Sequence, residues 1–242
     1  MDSCPQSRQR PVPLWLDLAC GMAVTLVLAM AATSLAGLSG GPVAIAMGQY
    51  AVIALLVVHY WPANTDFGWA NRATLLRATL VAVLLALVPW LDHLESWLWG
   101  YATMALLALI LDGVDGKLAR VTGNHTVFGA RFDMELDALF ILGLSLAVLV
   151  LGKTGPWVLA LGLMRYAFVA ASWFWPWLNA PLPESFRRKT VCVWQIVTLL
   201  VALLPPVPVS FASLTLATAL VLLGWSFLAD IRGLYQRRSR YE

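Results

Sequence analysis

Asp112-Gly113-Val114-Asp115-Gly116-Lys117-Leu118-Ala119-Arg120 leads, after eight intervening residues, to Gly129, and then at steps of four to Asp133 and Asp137. The four aspartates stand at the edges of apolar segments long enough to cross a bilayer. A carboxylate at that depth costs about 2.5 kcal/mol or more, so acids placed there are functional candidates by default. At about 100° per residue, Asp112, Asp115, Gly116, Ala119 and Arg120 fall within an arc of roughly 140° on one helix. Gly129, Asp133 and Asp137 form a narrow stripe on the next. Between them, Thr122-Gly123-Asn124-His125-Thr126 is a run of turn formers, with Thr126 placed to cap the second helix. The two stripes therefore face each other across a short helical hairpin. Oxygen ligands without Cys or His suit Mg²⁺ or Mn²⁺ rather than zinc. Gly116, Gly129 and Ala119 leave room beside the carboxylates for a flat group, and Arg120 offers a fork suited to phosphate.

The composition places this hairpin in a membrane. Of 242 residues, 60% are hydrophobic and 12% charged, against about a quarter charged in soluble domains. Apolar runs of spanning length occur at roughly 14–37, 43–62, 73–90, 95–111, 133–152, 154–176, 190–204 and 210–229. The expected fold is an all-α, polytopic transmembrane helix bundle of about eight helices. The first run follows Arg8 and Arg10 as a signal peptide would, but it is too long for a cleaved segment and reads as a retained helix. The loops are too short to hold a soluble domain.

Charge orients the bundle. With the N-terminus in the cytoplasm, the inner segments carry Arg8, Arg10, Arg72, Arg77, Lys117, Arg120, Arg131, Arg187, Arg188, Lys189, Arg232, Arg237, Arg238 and Arg240, and the outer loops carry only Lys153. This asymmetry puts both termini and the aspartates on the cytoplasmic side. A net charge of +3, concentrated in those segments, points to anionic lipid rather than nucleic acid. Cys4, Cys20 and Cys192 have no spacing for a disulfide framework or a zinc site. Many of the 12 tryptophans fall near helix ends, as an interfacial belt requires.

The aspartate segment resembles the signature of the CDP-alcohol phosphatidyltransferases: Asp-x-x-Asp-Gly-x-x-Ala-Arg, eight residues, Gly-x-x-x-Asp-x-x-x-Asp, with every fixed position filled. Upstream, Asn71-Arg72-Ala73-Thr74-Leu75-Leu76-Arg77 is similar to the family's Asn-x-x-Thr-x-x-Arg lead-in to its first core helix. The resemblance implies a six-helix core over residues 71–230, preceded by an N-terminal segment, 1–70, with two extra helices and followed by a basic tail, 231–242. It implies an integral membrane enzyme of phospholipid biosynthesis, in a bacterial inner membrane, that passes a phosphatidyl group from CDP-diacylglycerol to a small alcohol with release of CMP. A CDP-alcohol donor acting on diacylglycerol is the same chemistry in the other direction of assembly. By motif position, Asp112, Asp115, Asp133 and Asp137 resemble the ligands of two divalent cations, and Asp137 the general base. Gly116, Ala119, Arg120 and Gly129 match the cytidine and diphosphate pocket, and Asn71 and Thr74 fall near it. The resemblance also implies a homodimer.

Arg165, within Leu161-Gly162-Leu163-Met164-Arg165-Tyr166, bears on the acceptor. A guanidinium in an apolar helix needs a partner, and its fork suits a phosphate. Arg187, Arg188 and Lys189 open the following helix and are placed to form the mouth of the same pocket. Glycerol 3-phosphate is therefore the expected acceptor, ahead of inositol phosphate or serine. The bland alternatives are that Arg165 pairs with an acid and that the basic triplet only anchors the helix. Glu135 is expected to be solvated or paired with Arg131. Two other functional classes also use acids in membranes. A metal-diphosphate prenyltransferase would lack the Gly-x-x-Ala-Arg setting, and a divalent-metal transporter gains nothing from Arg120.

Overall fold

The computed structural model describes residues 13–61, 67–122, 126–180 and 185–238; for 114–122, 127 and 238 it describes the backbone alone. Every regular element among the described residues is helical: α1 (Leu14–Leu35), α2 (Gly41–Tyr60), α3 (Gly68–Leu87), α4 (Leu98–Thr122), α5 (Val127–Val150), α6 (Leu159–Phe174), α7 (Phe186–Ala202) and α8 (Val209–Arg238). Their order follows the eight apolar runs. Prolines punctuate them, because each lacks a backbone N–H and fixes its own φ. After α3 the chain tightens into a 3-10 turn at Val88–His93 that contains Pro89, and Pro156 and Pro176 open the short 3-10 segments on either side of α6. Among the described residues, six segments are long and apolar enough to cross a membrane: Leu14–Leu35, Gly41–Tyr60, Gly68–His93, Glu95–Gly113, Pro156–Phe174 and Val209–Arg237. α5 and α7 complete the eight helices. The apolar part of α5 opens on Asp133, Glu135 and Asp137, and α7 has 17 residues and opens on Arg187, Arg188 and Lys189.

The chain forms two compact units, one of residues up to Val83 with Ala108–Asp133, the other of Leu84–Leu107 with the residues from Met134 onward. In the first, α1 and α2 pack as a hairpin in which the Tyr50 hydroxyl donates to the Leu18 carbonyl at 2.9 Å. Tyr50 and Val57 of α2 share a core with Phe67, just before α3, and Leu75 within it, against which Leu18, Trp61, Phe128 and Phe132 also pack. Trp61 meets Phe67 and Phe128 edge-on, with ring centroids 5.0 and 5.2 Å away. The α1–α2 hairpin is therefore packed against residues of α3 and α5 within this unit.

The second unit holds α7 against α8 and α6 against both α5 and α8. Where α6 crosses α5, a side chain at Gly162 would place its Cβ 2.5 Å from the Leu142 Cα. Only glycine permits that approach. The buried Gln195 of α7 donates to the Leu161 carbonyl at 2.8 Å, satisfying a polar group inside an apolar bundle. Lys153 donates to the Val207 carbonyl at 2.6 Å, in the turn between α7 and α8, so this ammonium is tied down by backbone oxygens just beyond the end of α7.

Candidate active site

Asn71, Thr74 and Arg77 recur at three-residue steps on α3, and all three are buried. At such spacing they share one face of the helix. Asn71 donates to the Phe67 carbonyl at 2.7 Å and Thr74 to the Ala70 carbonyl at 3.1 Å, so both side chains are held against their own helix. Arg77 reaches across. One guanidinium nitrogen donates to the Asp112 carboxylate on α4. The other donates to the Asp133 carboxylate on α5 at 2.8 Å and lies 3.3 Å from the Asp133 carbonyl. The Arg77 side chain is 2% exposed, while those of Asp112 and Asp133 are 35% and 42% exposed. The fork thus closes the site from beneath and leaves carboxylate surface open above it. Oxygens of Asp112 and Asp133 lie within 4.8 Å of one another, a spacing that a divalent cation can bridge.

Thr126 caps α5, its hydroxyl accepting from the Gly129 N–H at 2.9 Å. Gly129 faces α3, where a Cβ would stand 2.5 Å from the Asn71 amide oxygen. In that direction the Asn71 side chain takes the place a Cβ would occupy. α4 continues as helix through the signature to Thr122. The side chains of Asp115, Gly116, Ala119 and Arg120 lie outside the described residues, as do the turn residues 123–125.

Asp137 follows Asp133 by one turn of α5 and belongs to the second unit. There it lines a cavity of about 440 Å³ together with Arg165, Arg188, Gln195, Asp230 and apolar side chains of α5, α6, α7 and α8. Arg165 pairs with Glu135 at 2.5 Å, and its Nε is buried without a hydrogen-bond partner among the described residues. Glu135 is thus the partner of Arg165, where the sequence suggested solvent or Arg131. The local i,i+4 pairing rule lost to a guanidinium that sits in an apolar helix and has more to gain from a carboxylate. Arg187 and Arg188 both reach Asp230 on α8, Arg188 at 3.5 Å, and Arg187 also lies over the Trp225 ring at 5.4 Å. Lys189 is exposed. Two residues with clear roles in this geometry were given no site role from the sequence. Arg77 was visible as the last position of the Asn-x-x-Thr-x-x-Arg segment and as a charge inside an apolar run; Asp230 had no local signal.

A family model for CDP-alcohol phosphatidyltransferases matches residues 67–227. The chain belongs to this family. It is accordingly a CDP-alcohol phosphatidyltransferase-family enzyme and a multi-pass integral membrane protein. The match takes in α3 to α7 and most of α8, and leaves out α1, α2 and Asp230. Among proteins of known name, the chain is similar to ethanolaminephosphotransferase 1 of Homo sapiens, with 31% identity over 108 residues, 38% of this chain and 27% of the human protein. The same identity and coverage hold for the proteins of that name from Pongo abelii and Mus musculus. The similarity therefore spans little more than a quarter of the length of these relatives. No solved structure matches the chain.

Proposed function

We propose that this family member transfers a phosphatidyl group from CDP-diacylglycerol to a small phosphorylated alcohol, glycerol 3-phosphate above all, at the cytoplasmic face of the membrane. Asp112, Asp115, Asp133 and Asp137 form a donor set made only of carboxylates, which fits two Mg²⁺ or Mn²⁺ ions. The fit is supported by Asp112 and Asp133, which already converge on one buried cation, the Arg77 guanidinium. Bound there, the ions would neutralise the diphosphate and the charge that develops on it. Gly116, Ala119, Arg120 and Gly129 hold the cytidine diphosphate portion, with Asn71 and Thr74 supporting that wall. Asp137 accepts the proton of the acceptor hydroxyl. The hydroxyl oxygen forms a bond to the phosphatidyl phosphorus, the phosphorus–oxygen bond to CMP breaks, and CMP leaves with the electron pair. Asp137 then gives up its proton to solvent. By resemblance alone, the working form is a homodimer.

The observation that carries the acceptor reading is the cavity shared by Asp137, Arg165 and Arg188. It sets a carboxylate beside two guanidiniums, as an acceptor with a hydroxyl at one end and a phosphate at the other requires. The Arg165 Nε has no hydrogen-bond partner among the described residues, so it has a hydrogen to offer. Arg187 and Lys189 extend the positive charge at the start of the same helix. In this reading Glu135 and Asp230 hold the arginines until a phosphate replaces them. A second reading has one observation in its favour: the named relatives are ethanolaminephosphotransferases. Transfer of phosphoethanolamine from its CDP ester to diacylglycerol would need no acceptor phosphate, and the arginine–carboxylate pairs would then be permanent.

Release of CMP by purified protein separates the two. CDP-diacylglycerol with glycerol 3-phosphate should support turnover, whereas free glycerol, serine or inositol should not. Turnover with CDP-ethanolamine and diacylglycerol in place of that pair would overturn the acceptor assignment. Arg165→Lys keeps the charge and loses the fork. It should raise KM for glycerol 3-phosphate by about ten- to a hundred-and-fifty-fold, the worth of a charged hydrogen bond, and spare KM for CDP-diacylglycerol.

A further inference from the structure

The α1–α2 hairpin lies outside the family match, yet it carries a carboxylate inside an apolar helix. Asp17, in the first turn of α1, pairs with Arg72 Nε of α3 at 2.9 Å, and the two side chains are 13% and 19% exposed. The second Asp17 oxygen is buried without a hydrogen-bond partner among the described residues, so this carboxylate is placed for Arg72 and not for solvent. Arg72 also lies over the Trp69 ring at 5.1 Å, which fixes its guanidinium from another side. Arg72 sits between Asn71, packed on Gly129, and the helical turn that leads to Arg77. Five residues along a helix amount to about 7.5 Å of rise and roughly 140° of rotation. Arg72 and Arg77 therefore leave α3 on well-separated sides, one toward α1 and one toward Asp112 and Asp133. The same hairpin reaches α5 as well: Trp61 packs on Phe128, and Phe128 stacks on Phe132, the residue before Asp133.

We propose that Asp17 is a positioning residue for the metal-binding carboxylates: by holding Arg72 it fixes the rotation and register of α3, and so the place where Arg77 grips Asp112 and Asp133. The α1–α2 hairpin is then part of the catalytic frame and not an accessory anchor. The inference rests on the proposed metal-dependent transfer. Its energetic basis is that an ion pair in a low-dielectric setting cannot lose one partner cheaply, so α3 is held by a contact with a single satisfied geometry. Supports of this kind behind a ligand set typically matter about 10- to 100-fold in metal affinity or rate.

The test uses the full chain in lipid nanodiscs, with Mn²⁺ binding followed by electron paramagnetic resonance and CMP release followed separately. Asp17→Asn should remain folded by size exclusion, bind Mn²⁺ about 10- to 100-fold more weakly and lose kcat by a similar factor. The exchanged pair, Asp17→Arg with Arg72→Asp, should recover most of both losses, which a hairpin acting only through apolar packing would not produce. Should Asp17→Asn aggregate, Asp17→Glu takes its place: the charge stays, the arm lengthens by one methylene, and Mn²⁺ binding should still shift. Folded Asp17→Asn, or Asp17→Glu in its place, with wild-type Mn²⁺ affinity and kcat would overturn the proposal, as would a folded exchanged pair that recovers neither. Wild type that binds Mn²⁺ but releases no CMP would remove the transferase reading, leaving the Mn²⁺ comparison to decide the role of Asp17. Wild type that binds no Mn²⁺ would overturn both.

Discussion

Arg77 is the residue on which the site closes, because one buried fork neutralises carboxylates from two helices. Without it, Asp112 and Asp133 would face each other as like charges at a spacing within 4.8 Å. Arg77→Gln should lower stability, by less than the roughly 3–5 kcal/mol lost from a fully buried ion pair, because water screens both half-exposed carboxylates. Excess Mn²⁺ should return part of that loss, since an ion bound only by the folded protein stabilises it. Thermal melts with and without Mn²⁺ check both statements; an unchanged melting temperature would contradict them. Asp112 and Asp133 were legible in the sequence as members of helical stripes, and Arg77 joins the two. The partner of each arginine was not. Arg165 met Glu135, and Arg187 and Arg188 met Asp230, through contacts 30 to 43 residues apart in the chain. Local spacing rules do not reach that far.

Helices were legible wherever an apolar run and a proline defined them. The run at 14–37 became Leu14–Leu35, and the run at 210–229 lies within Val209–Arg238. For α4 two signals were needed: its apolar run ends near residue 111, and the helical spacing of the signature carries the helix on to Thr122, where the structure ends it. Close helix crossings were also hidden, since a glycine in an apolar run has several uses. Gly162 allows α6 to meet the α5 backbone at Leu142. Gly162→Val would force that crossing apart and should cost about 1–3 kcal/mol, as overpacking does. It should lower the melting temperature and distort the cavity that Leu161 and Gly162 line. A melting temperature equal to wild type would place the crossing elsewhere.

At the scale of the whole molecule, the lopsided distribution of basic residues is the basis for the proposed orientation. Reporter tags at Glu242 and in the turn near Asn124 should both be read on the cytoplasmic side, and a tag beside Lys153 on the other. A C-terminus on the far side would require an odd number of spans and a redrawn arrangement of α5 and α7. What the chain does follows from a signature whose parts come together only when three helices assemble: Asn71 against Gly129, and Arg77 on Asp112 and Asp133. Asp137 is the residue to which the account assigns proton transfer, and Asp137→Asn keeps its size while removing its basic site. The most direct measurement is CMP release from CDP-diacylglycerol and glycerol 3-phosphate by this variant beside wild type, both shown to be folded and to bind the donor. A fall of at least about a hundredfold is the predicted result; near-normal turnover would contradict the carboxylate-centred mechanism.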